Sequence, residues 1–205
     1  MARAAARHVV VGLTCALTLV TEQAAWGAGP GDTGTIVGEV QAKPSKYRTG
    51  AVVHLVKVAG SFRPPAQPAE YDQRGMQFVP RVLAVLRGTP VRFLNNDSVR
   101  HNIFSPDHEA YNLGTWAQGE SQTRVFGKSG VYRQLCNVHP EMEGFIVVLD
   151  NPFFAVTDAN GRFRIEGVPP GAYTVRAWSE KLPEATQPVT VTPGATAQVR
   201  IELKK

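Results

Sequence analysis

Residues 131–149 read VYRQLCNVHPEMEGFIVVL, and this stretch decides the fold. Val131, Arg133 and Leu135 alternate with Tyr132, Gln134 and Cys136, the period of two that marks a strand. Residues 145–149 are continuously apolar, as a short buried strand is. Between the two runs lie Cys136, His139 and Met142, a C-x2-H-x2-M loop. Two strands closed by so short a loop predict a β domain, and the loop brings a thiolate, an imidazole and a thioether together.

That donor set has a defined chemistry. Soft sulfur ligands combined with imidazole favour copper, and two His, one Cys and a weak axial Met form the blue-copper arrangement. The second His must come from elsewhere, and His101 in NDSVRHNIFS is placed to supply it. A hydrolytic or oxygen-activating metal site keeps a coordination position open. This set fills its positions, with no evident general base beside them, and no Ser sits in a nucleophile-elbow pattern. The expectation is a protein that is not an enzyme.

Working outward, the 205 residues allow one large β domain or two small ones. Gly and Pro are plentiful, apolar runs are short, and no long stretch has helical periodicity, so an all-β chain is expected. Residues 1–28 read as a secretory signal, with Arg3 and Arg7 ahead of an apolar segment at residues 9–20 that is too short to span a bilayer. Cleavage near Ala25-Trp26-Gly27 would remove Cys15, leaving Cys136 as the one cysteine of the exported protein; a lipid-anchored Cys15 is the alternative. An unpaired thiol in an oxidising compartment is free, intermolecular or metal-bound. The formal charge of +5 falls to +4 once Arg3, Arg7 and Glu22 leave. No block of like charge points to nucleic acid.

Residues 34–60 hold two strand-like runs, Ile36 to Val40 and Ala51 to Val58, joined by the turn-rich KPSKYRTG. His54 lies within the second run with nothing near it to complete a ligand set, so it reads as structural. The Pro-rich segment at residues 61–69 is an extended connector. A new β pattern follows, with apolar runs around Pro80, a turn at residues 87–90, a strand at residues 91–94 and turn residues at 95–98 leading to His101. Residues 105–119 read as a loop whose Tyr111, Leu113 and Trp116 pack on a sheet edge. Within it Asp107, His108 and Glu109 read as solvated polar groups, a metal role being the lesser alternative. Residues 122–126 form another short strand.

The segments FLNNDSVRHNIFS and LCNVHPEMEGFIVV resemble the two ligand segments of the cupredoxins, the small blue-copper proteins, and the short C-x2-H-x2-M loop is most similar to that of amicyanin. The resemblance covers residues 70–150 and implies a Greek-key β-sandwich with one type 1 copper ion near one end. Carried over by motif, His101, Cys136 and His139 are equatorial ligands and Met142 is axial. Asn102 matches a position that hydrogen-bonds across to the ligand loop. Asn137 departs from the Ser or Thr common after the Cys. His101 would be held inside the sandwich and His139 near the surface, where its apolar surround would receive redox protein partners.

A different pattern occupies residues 151–205. FFAVTDANGRFRIEGVPPGAYTVRAW reads as strand, Asn-Gly turn, strand, Pro-Gly turn, strand, and residues 189–203 add a last hairpin. Phe163, Tyr173 and Trp178 fall at strand positions and read as core. Asp158 and Asn160, with Gly161, make a turn in preference to a calcium loop. The run resembles the carboxypeptidase regulatory-like modules, small transthyretin-like β-sandwiches. That family begins with two strands that residues 151–205 lack, and residues 33–60 look like them. The expectation is a split second sandwich with the copper unit inserted; the alternative is that residues 33–60 add strands to the copper domain.

The sequence therefore predicts an all-β protein, a cupredoxin Greek-key β-sandwich plus a second small transthyretin-like β-sandwich. Its expected role is an exported copper protein carrying single electrons between redox partners, with no transmembrane span after signal removal and the bacterial periplasm as its location. The rivals are a copper-binding or delivery protein without a shuttle role, and an adhesion or assembly module.

Overall fold

The computed structural model describes Met1 and residues 32–205; residues 2–31, and with them the expected signal segment and Cys15, lie outside the described residues. The chain is all-β. Its strands are β1 (Gly34–Ala42), β2 (Val52–Val56), β3 (Ala69–Gln73), β4 (Phe78–Val79), β5 (Val82–Leu86), β6 (Pro90–Leu94), β7 (His101–Ser105) and β8 (Tyr111–Trp116). They continue with β9 (Ser121–Val125), β10 (Gly130–Leu135), β11 (Glu143–Leu149), β12 (Phe154–Val156), β13 (Arg162–Val168), β14 (Gly171–Ser179), β15 (Leu182–Val191) and β16 (Thr196–Leu203). A single 3-10 turn, Ser45–Arg48, is the helical element among the described residues. No helix among them is long and apolar enough to cross a membrane.

Four sheets result. One has the order β5-β11-β10-β7-β8 and another β4-β3-β6-β9. Their inner faces share one core built on Tyr71, Phe93, Ile103, Phe126, Tyr132 and Ile146, all without exposed surface. The other two, β13-β1-β16 and β12-β2-β14-β15, enclose a second core that includes Ile36, Leu55, Val175 and Ile201. The alternation of β1 explains its place: Ile36, Val40 and Ala42 turn inward while Val37 and Glu39 face outward. β1 runs parallel to β16 and antiparallel to β13, and β2 lies between β12 and β14.

A third apolar cluster joins the two cores. Val52 of β2 meets Val147 and Leu149 of β11, with Val82, Val131 and Trp178 around them. Phe145 and Trp178 pack edge to face, their ring centroids 5.4 Å apart. Such a contact adds to the burial of both rings.

Two sequence expectations need correction. Residues 105–119 are not loop throughout, because β8 forms an edge strand paired with β7. Its period of two is hidden by Gly114 and by a register shift between Asn102 and Phe104, yet Trp116 is buried as anticipated. The C-terminal run is not a succession of hairpins either. The turn at residues 158–161 is present, with the Asp158 carboxylate accepting the N–H groups of Asn160 and Arg162 at 2.8 Å each. However, β12 pairs with β2 whereas β13 pairs with β1, and β15 pairs with β14 whereas β16 pairs with β1. The chain crosses between sheets at those turns because β1 and β2 occupy the places that hairpin partners would take.

His54 lies at the junction, half-buried on β2 opposite Arg176. Burial is the largest influence on its imidazole and lowers its pKa from the ordinary value. The unfolded chain then takes up this proton first as pH falls below about 6.5. Stability contributed here is present at neutral pH and declines as pH drops toward the lowered value. His54→Gln is expected to flatten that part of the stability profile, measured by urea denaturation between pH 5 and 8.

Candidate metal centre

The site forms where β7 meets the end of β10. Phe104 pairs with Leu135 in an antiparallel ladder. Continuing that count sets His101 opposite residue 138, between Cys136 and His139 of the following loop. β10 and β11 pair from Gly130↔Val148 to Leu135↔Glu143, so both ends of the loop are fixed. Within the loop the Met142 N–H donates to the His139 carbonyl at 3.0 Å, and Pro140 restricts φ at the turn.

His101, Cys136 and His139 converge, their donor atoms all within 4.8 Å of one another. Nδ1 of His101 lies 3.0 Å from Nδ1 of His139, and Cys136 Sγ lies 3.9 Å from the same His139 nitrogen. His101 has no exposed surface and Cys136 is buried; His139 is half-buried. Met142 is also buried, in the core beneath the loop.

The imidazole of His101 is oriented from behind. Its Nε2 lies 2.8 Å from Asp97 Oδ2. A carboxylate accepts only, so Nε2 carries the proton and Nδ1 presents a lone pair toward Cys136 and His139. Asp97 is itself held by the N–H groups of Gly75 at 2.6 Å and Met76 at 3.0 Å. Partial burial pushes its carboxyl up, but these two amides and His101 outweigh that and hold it below the usual range.

Two nitrogens and a sulfur converging at these separations fit a metal ion. Bond lengths of about 2.0 Å to nitrogen and 2.3 Å to sulfur place ligand atoms on one ion roughly 3–4 Å apart. The pairing of thiolate with imidazole is the donor chemistry copper or zinc accepts.

Asn102 links the two segments. Its Oδ1 accepts the Asn137 N–H at 3.3 Å, while its Nδ2 donates to Asn112 Oδ1 and the Gly114 carbonyl, both at 2.8 Å. The polar trio downstream serves a different purpose. Asp107 accepts the Arg133 N–H at 2.8 Å, and Glu109 accepts N–H groups from Gly127 and Lys128 at 3.0 and 3.2 Å. The His108 ring packs on Tyr132, its centroid 5.1 Å away. These residues tie the start of β10 to the β7–β8 region and do not join the donor cluster.

Sequence reading missed Asp97, which sits among Asn95, Asn96 and Ser98 and passes for a turn residue. Its one signal is the spacing of four to His101, which only becomes a contact once the loop folds back.

A family profile described as the carboxypeptidase regulatory-like domain matches residues 142–204. No curated protein sequence matches the chain. Among solved structures it is similar to a copper-containing nitrite reductase from Thermus scotoductus SA-01, 29% identical with a TM-score of 0.40 over 47% of this chain and 25% of that one. The chain thus spans a quarter of that relative's length. It is similar to a purple cupredoxin from Nitrosopumilus maritimus, 29% identical with a TM-score of 0.38 over 40% of this chain and 99% of that one. An oxidised amicyanin variant is 23% identical, with a TM-score of 0.38 over 40% of this chain and 82% of the other. The chain is therefore similar to the carboxypeptidase regulatory-like domain over residues 142–204 and, over 40–47% of its length, to proteins that include cupredoxins.

Proposed function

We propose that this is an exported type 1 copper protein that passes single electrons between redox protein partners in the bacterial periplasm. His101, Cys136 and His139 would hold the ion, with Met142 of the same loop as a fourth ligand. One sandwich, residues 70–150, carries the site; residues 33–60 and 151–205 together form the other, and residues 61–69 connect them. The observation that carries the reading is the convergence of one buried thiol and two imidazoles, with His101 tautomerically fixed by Asp97. Bound copper supplies a one-electron couple.

The chain's own residues supply rigidity and access. Strands on both sides of the loop, and the Asn102 bridge, limit rearrangement of the donors. The carboxylate touching the donors is taken up by His101 and two amides, which favours a carrier over acid–base chemistry. Val138 is 50% exposed beside His139, and Val99 is 43% exposed on the His101 loop. The partner's docking point in this reading is the exposed part of the ligand loop beside His139, where Val138 lies.

Visible absorption of the Cu(II)-loaded protein tests the reading. The expected result is an intense thiolate-to-copper band that disappears in Cys136→Ala. A weak spectrum indifferent to that substitution would overturn the ligand assignment. A strong band without reversible voltammetry would leave copper binding or delivery in place of electron transfer.

A further inference from the structure

We infer that Arg81, anchored by Glu180, is a positioning residue for the ligand loop, so that the second sandwich holds the metal site's geometry from outside. The inference rests on the copper reading and concerns the segment directly after Met142. There the Arg81 guanidinium donates from Nη1 to the Glu143 carbonyl at 2.8 Å and from Nη2 to Glu143 Oε2 at 3.3 Å. The same Nη2 donates to Glu180 Oε2 at 2.6 Å. Lys181 Nζ, next to Glu180, reaches Glu143 Oε2 at 3.7 Å. Glu180 and Lys181 form the turn between β14 and β15, so both belong to the second sandwich.

The main chain reinforces the same segment. The Arg81 carbonyl accepts the Phe145 N–H at 2.8 Å, and the guanidinium lies 5.8 Å from the centre of the Phe145 ring. That ring packs on Trp178 of β14. Residues 143 and 145 are thus gripped at carbonyl, carboxylate, amide and ring, and all four grips lead to the second sandwich directly or through Arg81. A solitary exposed ion pair has little effect, but an arginine engaging a carbonyl and two carboxylates is a network with defined geometry. Donor atoms keep a productive arrangement only when the residues behind them are fixed. The second sandwich needs no reactive group of its own for this role.

Glu180→Gln removes the anchoring charge while leaving Arg81, Glu143 and every donor in place. Two readouts separate positioning from bulk stability. In the metal-free protein, amide hydrogen exchange at residues 143–145 is expected to speed up about fivefold, the scale of losing one exposed charge network, while core amides such as that of Ile103 stay unchanged. In the copper-loaded protein, release to a chelator is expected to accelerate by a similar factor and the visible band ratio to shift. Arg81→Gln should reproduce both effects, and adding Glu180→Gln to it should change little more. A lowered melting temperature with unaltered local exchange, release and spectrum would overturn the inference. If the wild-type protein lacks the Cys136-dependent band, the copper reading falls; the exchange measurement still decides whether Glu180 holds the loop.

Discussion

Asp97→Ala is expected to weaken copper binding by roughly 10–100-fold, the usual consequence of removing a group that orients a metal-bound histidine. Three contacts explain so large an effect. Asp97 accepts from His101 Nε2 and from the amides of Gly75 and Met76. Gly75 and Met76 have φ of 61° and 60°, forming the left-handed turn that joins β3 to β4. One carboxylate therefore ties that hairpin to the histidine. Without it, the His101 N–H has no acceptor in a site with no solvent exposure, costing about 1–3 kcal/mol in the metal-free protein. The imidazole is also freed to move its proton to Nδ1, where it would block the donor position. A chelator competition titration gives the affinity and urea denaturation gives the stability. Asp97→Asn keeps an acceptor but loses the charge, so its affinity should fall between the two. An alanine variant that binds copper as tightly as wild type would show that His101 needs no such support.

Gly144→Ala should destabilise the protein by about 3 kcal/mol, the upper part of the range for overpacking a filled core. A Cβ at residue 144 would overlap the Tyr71 hydroxyl and lie 3.0 Å from both the Arg81 carbonyl and Phe78 Cβ. Tyr71 cannot swing aside. It is fully buried, stacked on Phe78 at 5.4 Å and packed edge to face on Phe93 at 5.9 Å. Tyr71→Phe removes the offending oxygen, and the double variant should recover much of the loss. A coupling of at least about 1 kcal/mol between the two substitutions is expected, as for residues sharing one contact. Strict additivity in urea denaturation would contradict this account.

The donors and the supporting groups differ in how far sequence reveals them. Cys136, His139 and Met142 could be read from seven consecutive residues because a soft donor set at short spacing has few other uses. His101 and Asn102 followed from a second short segment. Asp97, Arg81 and Glu180 could not be read in this way, since an Asp in a turn and charged residues at strand ends are ordinary surface chemistry until folding juxtaposes them. The same distinction applies to the strands. Alternation located β1 and β10 and apolar runs located β2 and β11, but pairing is a long-range property. The Asn-Gly and Pro-Gly turns promised hairpins, but β13 and β16 pair with β1, and β12 and β14 pair with β2. β8 escaped notice because Asn112, Gly114 and Thr115 dilute its apolar face.

The β1–β16 ladder also orders events in time. A chain leaves the ribosome, or crosses a membrane, from its N-terminus. Thr35 then waits for Thr196, and Ala42 for Leu203, before their hydrogen bonds can form. By the time β16 emerges, every strand from β3 to β11 is already available to build the sandwich that bears the donors. Closing so distant a pairing is slow, and meanwhile β1 and β2 present open edges to any other strand nearby. The sandwich that bears the donors can thus be finished first, while the one that braces it assembles last, around a neighbour already in place.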